Sequence, residues 1–509
     1  MSQIHHLATD NNAGYKIRKY FPEATSISFG PNSVMDQIEP DPAVLIGETT
    51  YRTNGNTLPT QPPQPQVPNG NFQPARPRQS LFPATLAVHA DDPLNTQLAD
   101  VAPPLHVSTT FRYTSKPSEL RPFRPNSRPD ALLFPFQEET SEHCYSRAST
   151  HSTSRLEKIL SSLLKAPCVT YSSGLSALHA LMTHLVPKRV AIGAGYHGCH
   201  GVLDLHVRLS GTQILPLDCP AEDLHPGDLI CLETPINPTG LASNISDYAK
   251  KAHSRGAYLM VDSTFAPPPL QDPFSHGADI AMHSGTKYIG GHSDMLCGVL
   301  AIRPGLAEAT PEGQDLPSGQ LYREGWISRL LADRIFLGAV MGGLEGWLGV
   351  RSLRTLELRV MRQSESATNI VRELHGALNS HFDGVYTAIL PAEDRVIIKK
   401  VVREIQHASL QTQDLQDGWL KKQMPNGFGP VFAMTLNRDL LAKHLPSKLE
   451  LFHHATSLGG VESLIEWRTM TDDTVAADLL RVSVGVEDWR DLLDDIVQGF
   501  RALVGEFNL

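Results

Sequence analysis

The sequence predicts an α/β fold: a large domain on a parallel sheet with helical crossovers, then a smaller C-terminal α+β domain. Three observations predict it. From about residue 145, short apolar stretches alternate with amphipathic ones. After residue 330 a long helical pattern intervenes, and it leads to a C-terminal α+β part ending near LLRVSVGVEDWRDLLDDIVQGFRALV. Short apolar strands separated by helices are the pattern of a parallel sheet covered on both faces.

In chain order, SRLEKILSSLL predicts a helix and APCVTYSSG a strand ending in a turn. GLSALHALMTHL predicts a helix with Leu175, Leu178, Met182 and Leu185 on one stripe. KRVAIGAGY and DLICLETP read as strands, ISDYAKKAHSRG as a helix, and AYLMVDSTF and MLCGVLAI as strands. RLLADRIFLGAVMGGLEGWLGVRSLRTLELRVMRQ is helical in pattern throughout and leads to LLRVSVGVEDWRDLLDDIVQGFRALV. The expected organisation is a low-complexity tail at 1–80, an arm at 81–144, a large domain at 145–335 and a C-terminal domain at 336–509. The tail includes the Pro/Gln-rich LPTQPPQPQVPNGNFQPARPRQS, too poor in apolar residues to fold alone. The stretch 383–425 carries no motif.

Composition narrows the function. The chain has 509 residues, 41% hydrophobic and 19% charged, with a net charge of −10. That charge offers no basic field for nucleic acid. No window approaches the roughly 18 apolar residues of a membrane span. The N-terminus has no apolar core of a secretory signal. Six cysteines without a CxxC pair fit a reduced, cytoplasmic protein.

The chemistry gathers around DIAMHSGTKYIGGHSD, where Lys287 sits among small and hydroxylated residues. GTKY lacks the spacing of a P-loop. Asp262 ends the apolar strand AYLMV, where a carboxylate needs a partner. The turn Ser172-Ser173-Gly174 opens a helix, either as a phosphate seat or as a simple N-cap. ETPINPTG places Glu233 and Asn237 where open α/β sheets bind ligands. A buried lysine with an aspartate on the preceding strand and a phosphate-seating turn fits pyridoxal 5'-phosphate (PLP). Burial lowers the lysine pKa toward the nucleophilic range, and the aspartate keeps the ring nitrogen protonated.

In joint order, YSR at 145–147, LE at 156–157, SSGLSAL, ETPINPTG, VDSTF, HSGTKYIGGHSD, SLGGVESL and RVSVGVED resemble the PLP-dependent trans-sulfuration (Cys/Met metabolism) enzymes. That family includes cystathionine γ-synthase and the cystathionine lyases. The resemblance runs from about Ala84 to the C-terminus and implies the aspartate aminotransferase-like fold, fold type I. It implies Lys287 as Schiff-base lysine and proton shuttle, Asp262 on the pyridine nitrogen and Asn237 near the ring hydroxyl. Ser284, Thr286 and the N–H groups of Gly174 and Leu175 would hold the phosphate, and Tyr196 would stack on the ring. Tyr145 and Arg147 would reach into a neighbouring subunit's site, implying a homodimer or homotetramer. Arg481 would clamp the substrate α-carboxylate, with Ser463 close by. His197, Cys199, His200, His292 and Asp294 are read as loop and core residues, with no metal.

The sequence also departs from the family. Thr150-His151-Ser152 replace Asn-Pro-Thr, and Ser263 replaces an asparagine. Thr456 stands where many synthases and γ-lyases carry a glutamate associated with a distal amino group. EWRTMTD, with Trp467 and Asp472, replaces the usual proline and Met-Thr-His. The expected reaction is γ-replacement on an O-acyl-homoserine, with Thr456 leaving the nucleophile open among cysteine, sulfide and a carbon or amine donor. The alternatives are a cystathionine β- or γ-lyase, and a catalytically silent homologue acting as a binding or regulatory protein.

Overall fold

Seven strands form the larger sheet: β1 (Cys168–Tyr171), β2 (Arg189–Ile192), β3 (Gln213–Pro216), β4 (Leu229–Glu233), β5 (Tyr258–Asp262), β6 (Ile280–Ser284) and β7 (Gly298–Ile302). They lie in the order β1-β7-β6-β5-β4-β2-β3. The computed structural model describes residues 81–94, 100–120, 143–308, 325–379 and 389–509. The expected tail at 1–80 lies outside them, as do parts of the arm and of 383–425.

From β3 to β6 every pairing is parallel, as expected, but β7 runs antiparallel to both β6 and β1. The sheet is therefore mixed, because strand direction leaves no trace in an apolar run. The central strands β5, β6 and β7 are buried almost throughout, being covered on both faces. β3, at the edge, is largely exposed, and its short Ile-Leu-Pro run gives no strand signal distinct from a loop. The helix His197–Ser210 was likewise not anticipated.

The helix His151–Leu164 explains one departure from the family. Thr150 is its N-cap: the Thr153 N–H donates to Thr150 Oγ1 at 3.2 Å, and the Thr150 N–H donates to Thr153 Oγ1 at 3.0 Å. Thr150, the first of the three residues that replace the family's Asn-Pro-Thr, thus starts a helix together with Thr153. Glu157 in that helix accepts from the N–H and hydroxyl of Thr170 in β1 and pairs with Arg334, tying helix to sheet.

The long helical pattern after residue 330 breaks into three helices, Trp326–Leu337, Gly343–Leu353 and Leu356–Asn379. The first ends where Gly338 takes a left-handed conformation that continues no helix. A smaller sheet follows, in the order β10-β11-β12-β9-β8. Its members are β8 (Val402–Gln406), β9 (Val431–Leu436), β10 (His453–His454), β11 (Leu464–Trp467) and β12 (Leu479–Ser483). The helices Leu356–Asn379 and Trp489–Phe507 pack on it through a core that includes Ile370, Leu374, Phe432, Ile496 and Phe500. A large, mostly parallel sheet plus a smaller sheet-and-helix part is the architecture the sequence predicts.

Gly298, at the start of β7, lies where the first helical turn after β1 meets the sheet. A Cβ there would run into the carbonyl oxygen of Ser173. Gly298→Ala should cost about 1–3 kcal/mol of stability, seen as a lower denaturant midpoint. An unchanged midpoint would mean the turn yields freely.

Candidate active site

Parallel strands with a common direction bring their C-terminal ends together, and here those ends are polar. Glu233 closes β4 and Asp262 closes β5, directly paired in register, and Ser284 closes β6. Above them lies a cavity of about 350 Å³. Its lining includes Gly174, Leu175, Tyr196, Asn237, Asp262, Ser284, Thr286, Lys287, Thr456 and Arg481. Ten of the sequence-predicted site residues therefore meet in one place. A separate open depression of about 590 Å³ along β2 and β3 shares no lining residue with it and contains neither lysine nor arginine.

Lys287 is mostly buried, and its Nζ donates to Ser457 Oγ at 2.7 Å. Burial, with the positive charge of Arg481 adding to it and Glu466 opposing, pushes its pKa from 10.5 down to about 8. The folded chain then holds this proton more weakly than the unfolded chain does. Between about pH 8 and 10.5 the unfolded state binds more protons, so stability rises with pH across that window. Below it, a charged buried lysine costs the fold free energy. In the cofactor-free protein, Lys287→Met should be more stable than wild type below pH 8, with the gap closing as pH passes 10.5. Denaturant midpoints at several pH values measure it; a gap independent of pH would contradict the burial of this charge.

Asp262 Oδ1 accepts from the Thr264 N–H at 3.0 Å and hydroxyl at 2.5 Å. Thr264 Oγ1 in turn accepts from the Ser284 N–H at 2.8 Å, joining β5 to β6. Burial drives the Asp262 carboxyl upward, and the two bonds from Thr264 oppose it. Oδ2 has no described hydrogen-bond donor, so an external cation or donor fits there. Glu233 is held differently: its oxygens accept from the Tyr196 N–H at 2.8 Å and the Asn237 N–H at 2.7 Å. Burial, then the neighbouring Asp262, raises its pKa.

The helix Gly174–Leu185 points its N-terminus at the cavity, capped by Ser173 Oγ, which accepts from the Ser176 N–H at 3.1 Å. A Cβ on Gly174 would come within 3.1 Å of Ser284 Cβ, so the glycine keeps a cradle open between the helix start and Ser284. Backbone donors, a positive dipole end and a hydroxyl suit a phosphate. A lysine with a depressed pKa, an aspartate with an open oxygen and this cradle fit PLP.

Arg481 on β12 is buried. Its Nη2 donates to Ser457 O at 2.5 Å and pairs with Glu466 Oε2 at 2.6 Å, and its Nη1 reaches Asn237 Oδ1 at 3.4 Å. Ser457 thus meets both Lys287 and Arg481. It holds a left-handed φ of 77°, a strained backbone for a serine and of the kind found at functional sites. Arg359 steadies the loop after Lys287, donating to Tyr288 O at 2.8 Å and Ser352 O at 2.9 Å.

Three sequence-predicted residues lie elsewhere. Ser463 does not line the cavity: its hydroxyl is fully buried, donating to Glu487 Oε2 at 2.9 Å and accepting from the Gly485 N–H at 2.8 Å. Ser463 is a structural residue here, a correction to its placement near the carboxylate. Tyr145 and Arg147 also lie outside the lining; Tyr145 is 44% exposed, with the Arg147 guanidinium 5.2 Å from its ring centre. Among the described residues no three His, Cys, Asp or Glu side chains form a metal-binding group. Thr264, Ser457, Glu466, Arg468 and Thr471 were missed. A hydroxyl two residues after Asp262 was a readable sign, and the EWRTMTD departure contained three of the others.

Residues 84–501 match the family of Cys/Met metabolism PLP-dependent enzymes. The chain is 30% identical over 443 residues to the cystathionine gamma-lyase of Saccharomyces cerevisiae, covering 82% of this chain and 97% of that one. It is 28% identical over 442 residues to the cystathionine gamma-synthase of Escherichia coli, covering 82% and 98%. Among solved structures, the apo form of CalE6, a methionine gamma lyase from Micromonospora echinospora, superposes with a TM-score of 0.64 at 28% identity, over 82% of this chain and 99% of that one. With a match of that extent, and with a buried lysine, an open aspartate oxygen and a phosphate cradle at the strand ends, the chain belongs to the PLP-dependent enzymes of Cys/Met metabolism, the trans-sulfuration family.

Proposed function

We propose that the chain catalyses γ-replacement on an O-acyl-homoserine. One observation carries the choice. The cavity's carboxylates are Glu233 and Asp262 at the strand ends, and the lining from the C-terminal part and the helix His197–Ser210, which includes Thr456, Thr471, Arg468 and His197, has none. Hydroxyls and a guanidinium suit an acyl ester, whereas the distal ammonium of cystathionine would lack a counter-charge there.

PLP supplies a carbonyl that takes up the substrate amine and a ring that accepts the electron pair left by C–H cleavage. Asp262 Oδ2 would face the ring nitrogen, where the cation restores the charge that burial disfavours. Ser284, Thr286 and the N–H groups of Gly174 and Leu175 would hold the phosphate, Asn237 the ring hydroxyl, and Tyr196 the ring face. Arg481 fixes the substrate carboxylate. A pKa near 8 lets the Lys287 amine take the α-proton and then act at Cβ, as departure of a γ-group requires. Ser457, bonded to both Lys287 and Arg481, sets base and carboxylate clamp in one frame.

The exposure of Tyr145 and Arg147 supports their reaching a neighbouring subunit, hence a homodimer or homotetramer with shared sites and an N-terminal arm at 81–144. Six free cysteines, five of them buried, support a reducing, cytoplasmic setting.

The test is a product assay by mass spectrometry with O-acetyl- and O-succinylhomoserine, each supplied with cysteine, sulfide or a carbon nucleophile. A thioether, homocysteine or a branched amino acid is the expected outcome. A 2-oxo acid formed from cystathionine, with the acylhomoserines untouched, would make the enzyme a lyase.

A further inference from the structure

The cavity holds two buried guanidiniums, and an amino acid's α-carboxylate occupies only one. Arg481 and Arg468 both line it, at 4% and 2% exposure. They flank Glu466, which stands opposite Arg481 in the β11–β12 ladder. Glu466 Oε2 lies 2.6 Å from Arg481 Nη2 and 2.9 Å from Arg468 Nη1. Arg468 Nη1 also donates to Thr471 Oγ1 at 3.0 Å, and Nη2 to Asp472 Oδ2 at 3.4 Å. Glu466 and Asp472 lie behind the arginines and do not line the cavity; Arg468, Thr471 and His197 do.

A guanidinium has five N–H donors. The three acceptors above engage Nη1 twice and Nη2 once. That leaves one N–H on Nη2 for a ligand, since the Nε, which has no acceptor among the described residues, is fully buried. An unsatisfied buried guanidinium donor is costly, and a carboxylate is the acceptor that a guanidinium N–H binds most strongly. The two carboxylates behind balance the two guanidiniums and fix their planes, so the arrangement is set before a ligand arrives. Thr456, also in the lining, adds no negative charge to oppose an anion.

We infer that Arg468 determines substrate specificity and that the site prefers amino acids whose side chain ends in a second anionic group, received by the Arg468 guanidinium. This rests on the reading of the cavity as an amino-acid site with Arg481 on the α-carboxylate.

The test is a calorimetric titration of the holoenzyme with L-2-aminoadipate, L-norleucine and L-lysine, three side chains of similar length ending in an anion, a methyl group and a cation. L-2-Aminoadipate should bind about tenfold or more tightly than norleucine, with lysine weakest. In Arg468→Gln its affinity should fall to that of norleucine, and Arg468→Lys should recover part of the preference. Equal affinity for aminoadipate and norleucine in the wild type, or a preference for lysine, would overturn the inference. Arg468 would then serve only to neutralise Glu466 and Asp472. The wild-type series decides the question even if Arg468→Gln does not fold. None of these probes carries a γ-leaving group, so the two readings fail separately. Inert acylhomoserines with a clear aminoadipate preference would sink the reaction and leave the site. Turnover without that preference would do the reverse.

Discussion

Lys287→Ala should lose essentially all turnover, by about 10⁴-fold or more, since it removes both the cofactor's attachment point and the proton shuttle. The fold should survive. The side chain's hydrogen bond goes to Ser457 Oγ, and its charge is buried beside Arg481, which repels it. Removing a charge that burial disfavours does not leave a partner carboxylate stranded. Circular dichroism and a denaturation curve at neutral pH should therefore match or exceed wild type while activity disappears. Residual activity within tenfold of wild type would place the chemistry on another lysine.

Arg481 should behave in the opposite way, losing activity and stability together. It neutralises Glu466, which is itself buried at 2% exposure. Arg481→Ala leaves that carboxylate with Arg468 alone and removes the substrate clamp. Breaking a buried ion pair by deleting one partner costs about 3–5 kcal/mol. The lost carboxylate contact should raise KM steeply and lower kcat, because both binding and alignment suffer. Arg481→Lys should not restore kcat/KM, since an ammonium cannot replace a planar fork. The double change Arg481→Met with Glu466→Gln separates the two effects: stability should recover most of the loss, and activity should not. Recovery of both would mean that Arg481 acts only through the fold.

The legibility of this molecule in its sequence follows physical lines. The strands β4, β5 and β7 were readable because burial on both faces demands unbroken apolar runs. β3 was not, because an edge strand that faces water has no such demand. The antiparallel turn of β7 was hidden, since residue type does not encode strand direction. The break at Gly338 was lost inside a run whose flanks are both helical. In the site, Lys287 and Asp262 stood out because charged groups beside apolar strands need a purpose, whereas Arg481 was legible only through the family resemblance. Ser463 misled because it adjoins a motif in sequence while its hydroxyl serves Glu487. The Glu466–Arg468–Asp472 chain was visible only as a departure from the family; its pairing across β11 and β12 needed the register.

The central claim is that Lys287 holds the cofactor at the strand ends. The most direct measurement reduces the PLP-loaded protein with borohydride, which fixes the cofactor to whichever lysine carries it, and maps the modified peptide by mass spectrometry. The account predicts one phosphopyridoxyl group per chain, on Lys287, and none on this peptide in Lys287→Ala. A label on any other lysine, or none after loading with PLP, would contradict it.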